Sequence, residues 1–273
     1  MISINNFTKN YGNFKAVDNL SFEVSDGEIV GFVGKNGAGK STTIKALMNF
    51  INPTSGTITI DGFDSKKDSK KIRNIVSYMS SETVFYDNLK VEKFLEFCIQ
   101  FSAASKEDAI NLANYFEIDI TKKLSELSLG NKKKVAIIVA LLKNSKILIL
   151  DEPTNGLDPL MQNKFFELLL KEKAKGKTIF LSSHNLNEIE KYCDKVIIIK
   201  DGKLVDYLDM NNVKLQYKQV VSYTTKDKKS TSFVFDGDIN ELTKKLATME
   251  LATLEIKNST VEDEFISYYK GVE

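Results

Sequence analysis

The chain has 273 residues, of which 38 are basic and 37 are acidic. That length suffices for one large domain, or for one domain with a small appendage, around a sizeable core. Because the charges nearly cancel, no overall field favours nucleic acid, and no nucleic-acid partner is expected. The sequence contains no targeting signal and no apolar run of the roughly 18 residues that a membrane span needs. Any membrane role is therefore expected to come through a partner.

The first part of the chain predicts strands that lead into a phosphate-binding loop. Residues 2–7, 20–24 and 28–33 have strand patterns, and a glycine-rich segment precedes a helical stretch from Thr43. Four residues separate Gly34 from Gly39, and Lys40 and Ser41 follow directly. This spacing distinguishes a phosphate loop from an ordinary glycine turn, which is the alternative interpretation. Backbone N–H groups and the helix N-terminus would then converge on a polyphosphate, with Lys40 at the β- and γ-phosphates and Ser41 on Mg²⁺. The predicted ATP-binding residues of the loop are Gly34, Asn36, Gly37, Ala38, Gly39, Lys40, Ser41 and Thr42.

The middle of the chain predicts an α/β layer with a helical insertion. From about 87 to 143 the apolar residues recur at helical spacing, and the all-apolar run 135–142 predicts a buried helix. Short β-branched strands at 146–150, 178–182 and 195–199 are typical of a parallel sheet. The sequence thus predicts an α/β fold, with a P-loop NTPase core whose mainly parallel sheet has an antiparallel β edge. We expect this domain to span residues 1–210.

The last part of the chain predicts a small α+β appendage at 211–273. Strands at 217–224 and 231–235 flank a charged turn, and a helix at 240–249, a strand at 252–256 and a final helix at 261–269 follow. Three roles stay open for it: dimer contact, binding of a regulator, or cover for the core.

Two acidic residues and the single histidine follow predicted strands. Asp151 and Glu152 end an apolar strand, at the sheet edge where the phosphate loop also lies. Asp151 is expected to hold Mg²⁺ through water, and Glu152 to orient or deprotonate the attacking water, with Lys40 as a further catalytic group. A solvated turn is the alternative for the acidic pair. His184 would be a surface or core residue if considered alone, but beside these motifs it is predicted to sense the γ-phosphate.

The order of the motifs resembles the ATP-binding subunit of ABC transporters over about residues 1–206. The motifs are the phosphate loop, Leu-Ser-Leu-Gly-Asn at 127–131, Asp-Glu-Pro at 151–153, Gly-Leu-Asp-Pro at 156–159 and Ser-Ser-His at 182–184. The resemblance implies a head-to-tail dimer in which each ATP lies between one phosphate loop and the partner's signature motif. It further implies that Tyr11 stacks on adenine, that Ser128 and Gly130 contact the partner's γ-phosphate, and that Asp158 helps to couple the sites. For Tyr11 an ordinary core position is the alternative.

Two positions depart from the family pattern. Ser81 stands where the family has glutamine or glutamate, so that either Ser81 or Glu82 is the further candidate Mg²⁺ ligand, and the signature has Leu129 and Asn131 in place of glycine and glutamine. We expect slow or partner-dependent hydrolysis on these grounds. Three lysines, 132–134, follow the predicted helix start near Asn131, and a solvated face is expected for each of them.

The resemblance implies an ATPase subunit, using ATP and Mg²⁺, that powers export through separate integral membrane permease subunits. A second ATPase subunit, identical or different, would complete the ATPase dimer. The subunit would be cytoplasmic, on the inner face of the membrane. The motifs and residues 261–265 most resemble bacterial exporters of drugs, antimicrobial peptides or ions. Phe85 and Tyr86, in a groove near 80–101, are expected either to touch the permease or to pack within the helical insertion. The rival classes are a soluble ABC ATPase that acts on ribosomes or DNA, and a weakly hydrolysing regulatory ABC subunit.

Overall fold

The structure is a computed structural model that describes residues 1–82, 85, 88–215, 219–235 and 237–258. It separates into two compact units, Met1–Tyr207 and Leu208–Glu273. Among the helices described there, none has both the length and the apolar character needed to cross a membrane.

The strands before residue 210 form two sheets. In chain order they are β1 (Ile2–Tyr11), β2 (Phe14–Val24), β3 (Ile29–Val33), β4 (Ser55–Ile60), β5 (Phe63–Asp64), β6 (Val76–Met79), β7 (Ile147–Asp151), β8 (Thr178–Ser183), β9 (Lys195–Lys200) and β10 (Lys203–Asp209). A six-stranded sheet has the order β10-β9-β3-β8-β7-β6, and a four-stranded sheet has the order β2-β1-β4-β5.

The six-stranded sheet is mainly parallel. β3 pairs in parallel with β8 and β9, and β7 pairs in parallel with β6 and β8. β10 follows β9 after the tight turn 201–202, and such a short connection can only reverse the chain. Every residue of β3 and β7 is buried, as expected of parallel strands covered on both faces. The predicted mainly parallel α/β fold is confirmed.

The four-stranded sheet is antiparallel and supplies the predicted β edge. β1 pairs with both β2 and β4, and a hairpin joins it to β2, with Tyr11 opposite Phe14. β2 begins six residues before the predicted strand at 20–24, because polar residues such as Asp18 and Asn19 interrupt its alternation.

One apolar cluster joins the two sheets. The rings of Phe22, Phe32 and Phe180 lie within 5.4–5.8 Å of one another. The cluster also contains Ile44 and Leu47 from the helix that follows β3. The loop between β3 and this helix is therefore anchored at both ends in the core, which gives it a rigid support.

Seven α-helices are described in the first unit, besides a short 3₁₀ helix at Leu124–Glu126. They are α1 (Lys40–Leu47), α2 (Ser69–Ile75), α3 (Val91–Ile99), α4 (Lys106–Tyr115), α5 (Leu129–Leu142), α6 (Pro159–Ala174) and α7 (Leu186–Tyr192). The region of the predicted helical insertion holds α3, α4 and α5. α5 starts two residues before the position expected from the sequence, because the hydroxyl of Ser128 caps it by accepting a hydrogen bond from the Asn131 N–H at 3.3 Å.

The expectation that the lysines of α5 form a solvated face is wrong for two of them. Lys133 is 3% exposed and Lys134 is 8% exposed. α5 packs against α3, α4 and β6, so more of its circumference is covered than an amphipathic surface helix would allow. The long methylene stems let both lysines cross this packed layer.

The second unit is a three-stranded antiparallel sheet with a helix packed on it. Its elements are α8 (Met210–Leu215), β11 (Gln219–Thr225), β12 (Ser230–Phe235), α9 (Ile239–Ala247) and β13 (Leu251–Asn258), with the strand order β12-β11-β13. Leu242 and Leu246 of α9 pack on Val221. Residues 217–218 of the predicted strand and the predicted helix 261–269 lie outside the described residues.

Candidate nucleotide-binding site

The loop between β3 and α1 has the geometry of a phosphate cradle. α1 begins at Lys40, and Gly39 before it has φ +108°. A Cβ atom on Gly39 would lie 2.8 Å from the backbone oxygen of Ala16, and one on Gly34 would lie 2.5 Å from that of Ile199. Only glycine fits these two positions, and the loop therefore curls tightly at the positive end of the α1 dipole.

The ammonium group of Lys40 lies inside this loop. Its Nζ donates to the carbonyl oxygen of Gly34 at 2.6 Å and lies 3.3 Å from Oε1 of Glu152. Lys40 is 6% exposed, so this cation is held at the base of the loop and is not spread into solvent. The arrangement places one mobile positive charge where phosphate oxygens would be cradled.

Asp151 lies at the carboxyl end of β7 and is completely buried. Its Oδ1 accepts hydrogen bonds from Ser182 Oγ at 2.6 Å and from Ser41 Oγ at 3.3 Å. Its Oδ2 is buried and has no hydrogen-bond partner among the described residues. A buried carboxylate oxygen without a partner is costly, and a hydroxyl beside it completes a donor set of the hard oxygen type that Mg²⁺ prefers.

Glu152 connects the cleft to the end of β8. Its backbone is left-handed, with φ +48°, and its N–H donates to Ser182 Oγ at 2.9 Å. Its Oε2 lies 2.8 Å from Nδ1 of His184. Because a carboxylate only accepts, Nδ1 carries the proton in this contact. The His184 side chain is 53% exposed, so that it lies at the surface, not in the core, with Glu152 as a partner.

A cleft of about 400 Å³ lies over these groups. The predicted residues that line it are Tyr11, Asn36, Gly37, Gly39, Lys40, Ser41, Thr42, Ser81 and Glu152. Asp151 lies beneath its floor, joined to Ser41, and His184 is attached through Glu152. The structure thus brings together residues from the phosphate loop, the first hairpin, residue 81 and the acidic pair.

Tyr11 lies at the tip of the β1–β2 hairpin and is 48% exposed, so the core position considered for it is wrong. Phe14, directly opposite it, is 64% exposed and lines the same cleft. Phe14 was not predicted from the sequence as a residue of the site. The segment Tyr-Gly-Asn-Phe at 11–14, a two-residue turn between aromatics, was the available signal for it.

Ser81 lines the cleft, whereas Glu82 is exposed and does not. The backbone oxygen of Ser81 accepts a hydrogen bond from Nζ of the buried Lys133 at 2.9 Å. Burial lowers the pKa of Lys133, and the negative charges of Asp151 and Glu152 act in the opposite direction. Lys133 is therefore a second buried cation near the acidic pair, which sequence spacing alone did not reveal.

The structure does not bring the signature motif to this cleft. Ser128 caps α5, and Leu129 beside it is 72% exposed. Asp158 caps α6 by accepting a hydrogen bond from the Met161 N–H at 3.0 Å. The backbones of the two motifs meet, since a Cβ on Gly130 would lie 2.7 Å from the carbonyl oxygen of Gly156. The signature motif and the 156–158 loop therefore adjoin one another outside the cleft.

A strand–loop–helix phosphate cradle beside a buried Asp-Glu pair, at the carboxyl edge of a parallel sheet, defines a P-loop nucleoside triphosphatase. Residues 17–155 match the ABC transporter family, and the chain belongs to this family. It is an ATP-binding subunit with ATPase activity, as predicted.

Known relatives agree with this assignment. The chain is 39% identical over 233 residues to the bacitracin transport ATP-binding protein BcrA of Bacillus licheniformis, covering 83% of this chain and 76% of the relative. It is 35% identical over 246 residues to the uncharacterized ABC transporter ATP-binding protein YcbN of Bacillus subtilis, covering 88% and 79%. A solved dimeric ATP-binding cassette in a post-hydrolysis state, bound to ADP and Pi, superposes with a TM-score of 0.70 at 26% identity, covering 77% of this chain and 99% of that one.

Proposed function

We propose that this subunit hydrolyses ATP to power export through separate membrane permease subunits, and that it lies at the cytoplasmic face of the membrane. The observation that carries the proposal is the cleft in which the phosphate loop faces a buried pair of carboxylates. The similarity to BcrA, a bacitracin transport protein, supports the exporter branch.

The phosphate loop would hold the β- and γ-phosphates of ATP. Backbone N–H groups of residues 36–41 and the positive end of α1 would surround them, and the Lys40 ammonium would move from its carbonyl contacts to the phosphate oxygens. Tyr11, exposed at the rim of the same cleft, would stack on adenine.

Ser41 and Asp151 are the residues that would hold Mg²⁺, Asp151 through water. The buried Oδ2 of Asp151, to which none of the described residues donates a hydrogen bond, fits this role. When bound, Mg²⁺ would neutralise charge on the β- and γ-phosphates. Ser81 would be a weak further ligand, because its side chain is short and its backbone oxygen is bound by Lys133.

Glu152 would accept a proton from the water that attacks the γ-phosphorus, as the bond to the leaving ADP breaks. Its carboxylate borders the cleft and is nearly buried. His184 would orient this carboxylate through the 2.8 Å contact and would itself approach the γ-phosphate. Lys40 would offset the charge that develops on the phosphoryl oxygens.

The outer ATP contacts would come from a second subunit. Ser128, Gly130 and Asp158 lie outside the cleft of their own subunit but next to one another, so they could face the nucleotide of a partner. The dimeric form of the structural neighbour supports this arrangement.

The permease would dock in a groove of about 360 Å³ between α1, α2 and the helical insertion. Its rim carries Phe50, Phe97 and Phe101, each about half exposed or more, and exposed aromatic surface of this kind is typical of a protein-binding site. The ring of Phe85 packs on Phe94 of α3, at 5.3 Å between centroids, which favours the packing interpretation for Phe85. Tyr86 lies outside the described residues.

Steady-state ATP hydrolysis across a wide range of subunit concentration tests the catalytic proposal. A rate that rises more than linearly with concentration, and that Glu152→Gln abolishes, is expected of a self-pairing ATPase. Negligible turnover with ATP still bound would indicate an obligatory partner chain. Hydrolysis that is unaffected by Glu152→Gln would refute the role of this carboxylate.

Co-purification from membranes tests the docking proposal. Phe97→Ala together with Phe101→Ala is expected to reduce recovery of the permease while ATP binding is retained, since neither residue lines the cleft. Leu160→Ala, which removes an exposed apolar side chain elsewhere, is the matched control. Equal recovery with both variants would refute the groove as the docking site.

A further inference from the structure

Glu188 is a buried carboxylic acid for which the proposed ATP chemistry has no use. It is the third residue of α7 and is 8% exposed. Its Oε2 accepts a hydrogen bond from Thr154 Oγ1 at 2.9 Å, while its Oε1 is buried without a partner among the described residues. Burial raises the pKa of Glu188. A buried carboxyl group that leaves one oxygen without a partner adds little to stability, so that packing alone does not explain it.

Among the described residues, the Glu188–Thr154 contact is one of three hydrogen bonds between side chains that join residues 151–154 to the end of β8 and the start of α7. In chain order these contacts are Asp151 Oδ1 with Ser182 Oγ at 2.6 Å, Glu152 Oε2 with His184 Nδ1 at 2.8 Å, and Thr154 Oγ1 with Glu188 Oε2 at 2.9 Å. The outer two contacts are buried, and the middle one is the pair to which we assign the chemistry.

The geometry of the Glu152–His184 contact depends on the segments that carry the two side chains. The His184 side chain is more than half exposed, so surrounding side chains do not fix its direction. Its place is set by the backbone between the end of β8 and the first turn of α7, where the Asn185 N–H donates to Ser183 Oγ at 2.9 Å. Glu188 is the side chain that attaches this turn to the loop after Glu152.

We propose that Glu188 is a positioning residue for ATP hydrolysis: by binding Thr154 it holds the first turn of α7 against the loop after β7, and thereby keeps His184 on Glu152. The inference rests on the roles proposed above for Glu152 and His184. Neither Glu188 nor Thr154 lines the nucleotide cleft, so the effect acts on the chemical step and leaves ATP binding intact.

The decisive variant replaces both partners by apolar residues of similar size, Glu188→Leu with Thr154→Val. Removing both ends of a buried hydrogen bond is nearly neutral for stability, so the fold is expected to survive. We expect kcat to fall about tenfold and KM for ATP to change less than about twofold, since misplacing a catalytic group lowers the rate of the chemical step. A merely structural role predicts wild-type kcat in this double variant.

Conservative variants should rescue the activity. Glu188→Gln keeps an oxygen that accepts from Thr154, and Thr154→Ser keeps the hydroxyl that donates. Both are expected to retain most of the wild-type kcat. Should the double variant lose its fold, Thr154→Val alone serves instead, because it removes the donor and must then lower kcat. Asn187→Ala, at an exposed position of the same helix, is the control.

Histidine NMR gives a direct second measurement, because His184 is the single histidine of the chain. In isotope-labelled protein the imidazole signals therefore report on one site. The double variant should move them away from their wild-type positions, toward those of Glu152→Gln, while Asn187→Ala leaves them in place. Wild-type kcat together with unmoved imidazole signals in the double variant would overturn the inference. Undiminished hydrolysis by Glu152→Gln would instead refute the catalytic role proposed for Glu152, whatever residue 188 does.

Discussion

Gly202 offers a sharp test of how the fold supports the nucleotide site. It lies in the β9–β10 turn with φ +77°. Its N–H donates to the Ala38 carbonyl of the phosphate loop at 3.0 Å, and its carbonyl accepts from the Asp18 N–H at 2.8 Å. A Cβ added here would lie 2.9 Å from the backbone oxygen of Ala16. Gly202→Ala must therefore push this turn away from the phosphate loop.

The size of the effect follows from a comparison with Gly176→Ala. Gly176 also has a positive φ, +86°, but a Cβ there would meet nothing within 4 Å. Both substitutions should cost about 1 kcal/mol for the left-handed backbone. Gly202→Ala should cost a further 1–3 kcal/mol, roughly, for the clash and the weakened hydrogen bonds. At about 2–4 °C per kcal/mol, Gly176→Ala should lower Tm by about 2–4 °C and Gly202→Ala by about 5–15 °C.

Thermal unfolding and equilibrium ATP binding measure the two consequences. Besides the lower Tm, Gly202→Ala should weaken ATP binding about fivefold, which corresponds to the loss of about 1 kcal/mol of support for the phosphate loop. Gly176→Ala should leave the Kd for ATP unchanged, because the N–H of Gly176 donates to Lys173 of α6 and not to the phosphate loop. Equal falls in Tm for the two variants, with equal Kd values, would refute the reasoning.

Three further outcomes are expected. Tyr11→Ala should weaken ATP binding by about 1–3 kcal/mol in calorimetry, the range for an aromatic that stacks on a base, and Phe14→Ala serves as the comparison. Hydrogen bonds from Lys106 and Lys93 lower the pKa of Glu96 from 4.5 to about 2. Glu96 therefore stabilises the fold above pH 4.5, and this contribution is lost as the pH falls toward 2. The acid-induced loss of stability should therefore be smaller in Glu96→Gln when unfolding is followed against pH. Burial lowers the pKa of Lys133 in the folded protein, so that the unfolded chain keeps its proton to a higher pH. The free energy of unfolding should therefore rise as the pH increases toward 10.5. Lys133→Met should reduce that rise in urea titrations.

Local patterns predicted the parts of the site that one stretch of chain supplies. The phosphate loop, including Lys40 and Ser41, is encoded by spacing over a few residues, and the strand that ends in Asp151 and Glu152 by a short apolar run. Their meeting followed from the rule that parallel strands present their carboxyl ends at one edge. The structure bears out this meeting in the 3.3 Å contact between Lys40 and Glu152.

Residues that act through tertiary contacts could not be read in this way. Ser182 matters because its hydroxyl reaches the acidic pair, and Glu188 because its carboxyl reaches Thr154, yet neither contact leaves a trace in sequence spacing. Lys133 was misjudged for a related reason. A lysine-rich turn predicts a solvated face only if the helix has one, and α5 is covered by its neighbours.

The contacts of Glu152 link the catalytic carboxylate to the binding of the nucleotide. One carboxylate oxygen is engaged by Lys40 and the other by His184. Lys40 is thus shared between the catalytic carboxylate and the loop in which phosphate oxygens would lie. A nucleotide that draws Lys40 onto its phosphates would release the base by the act of binding.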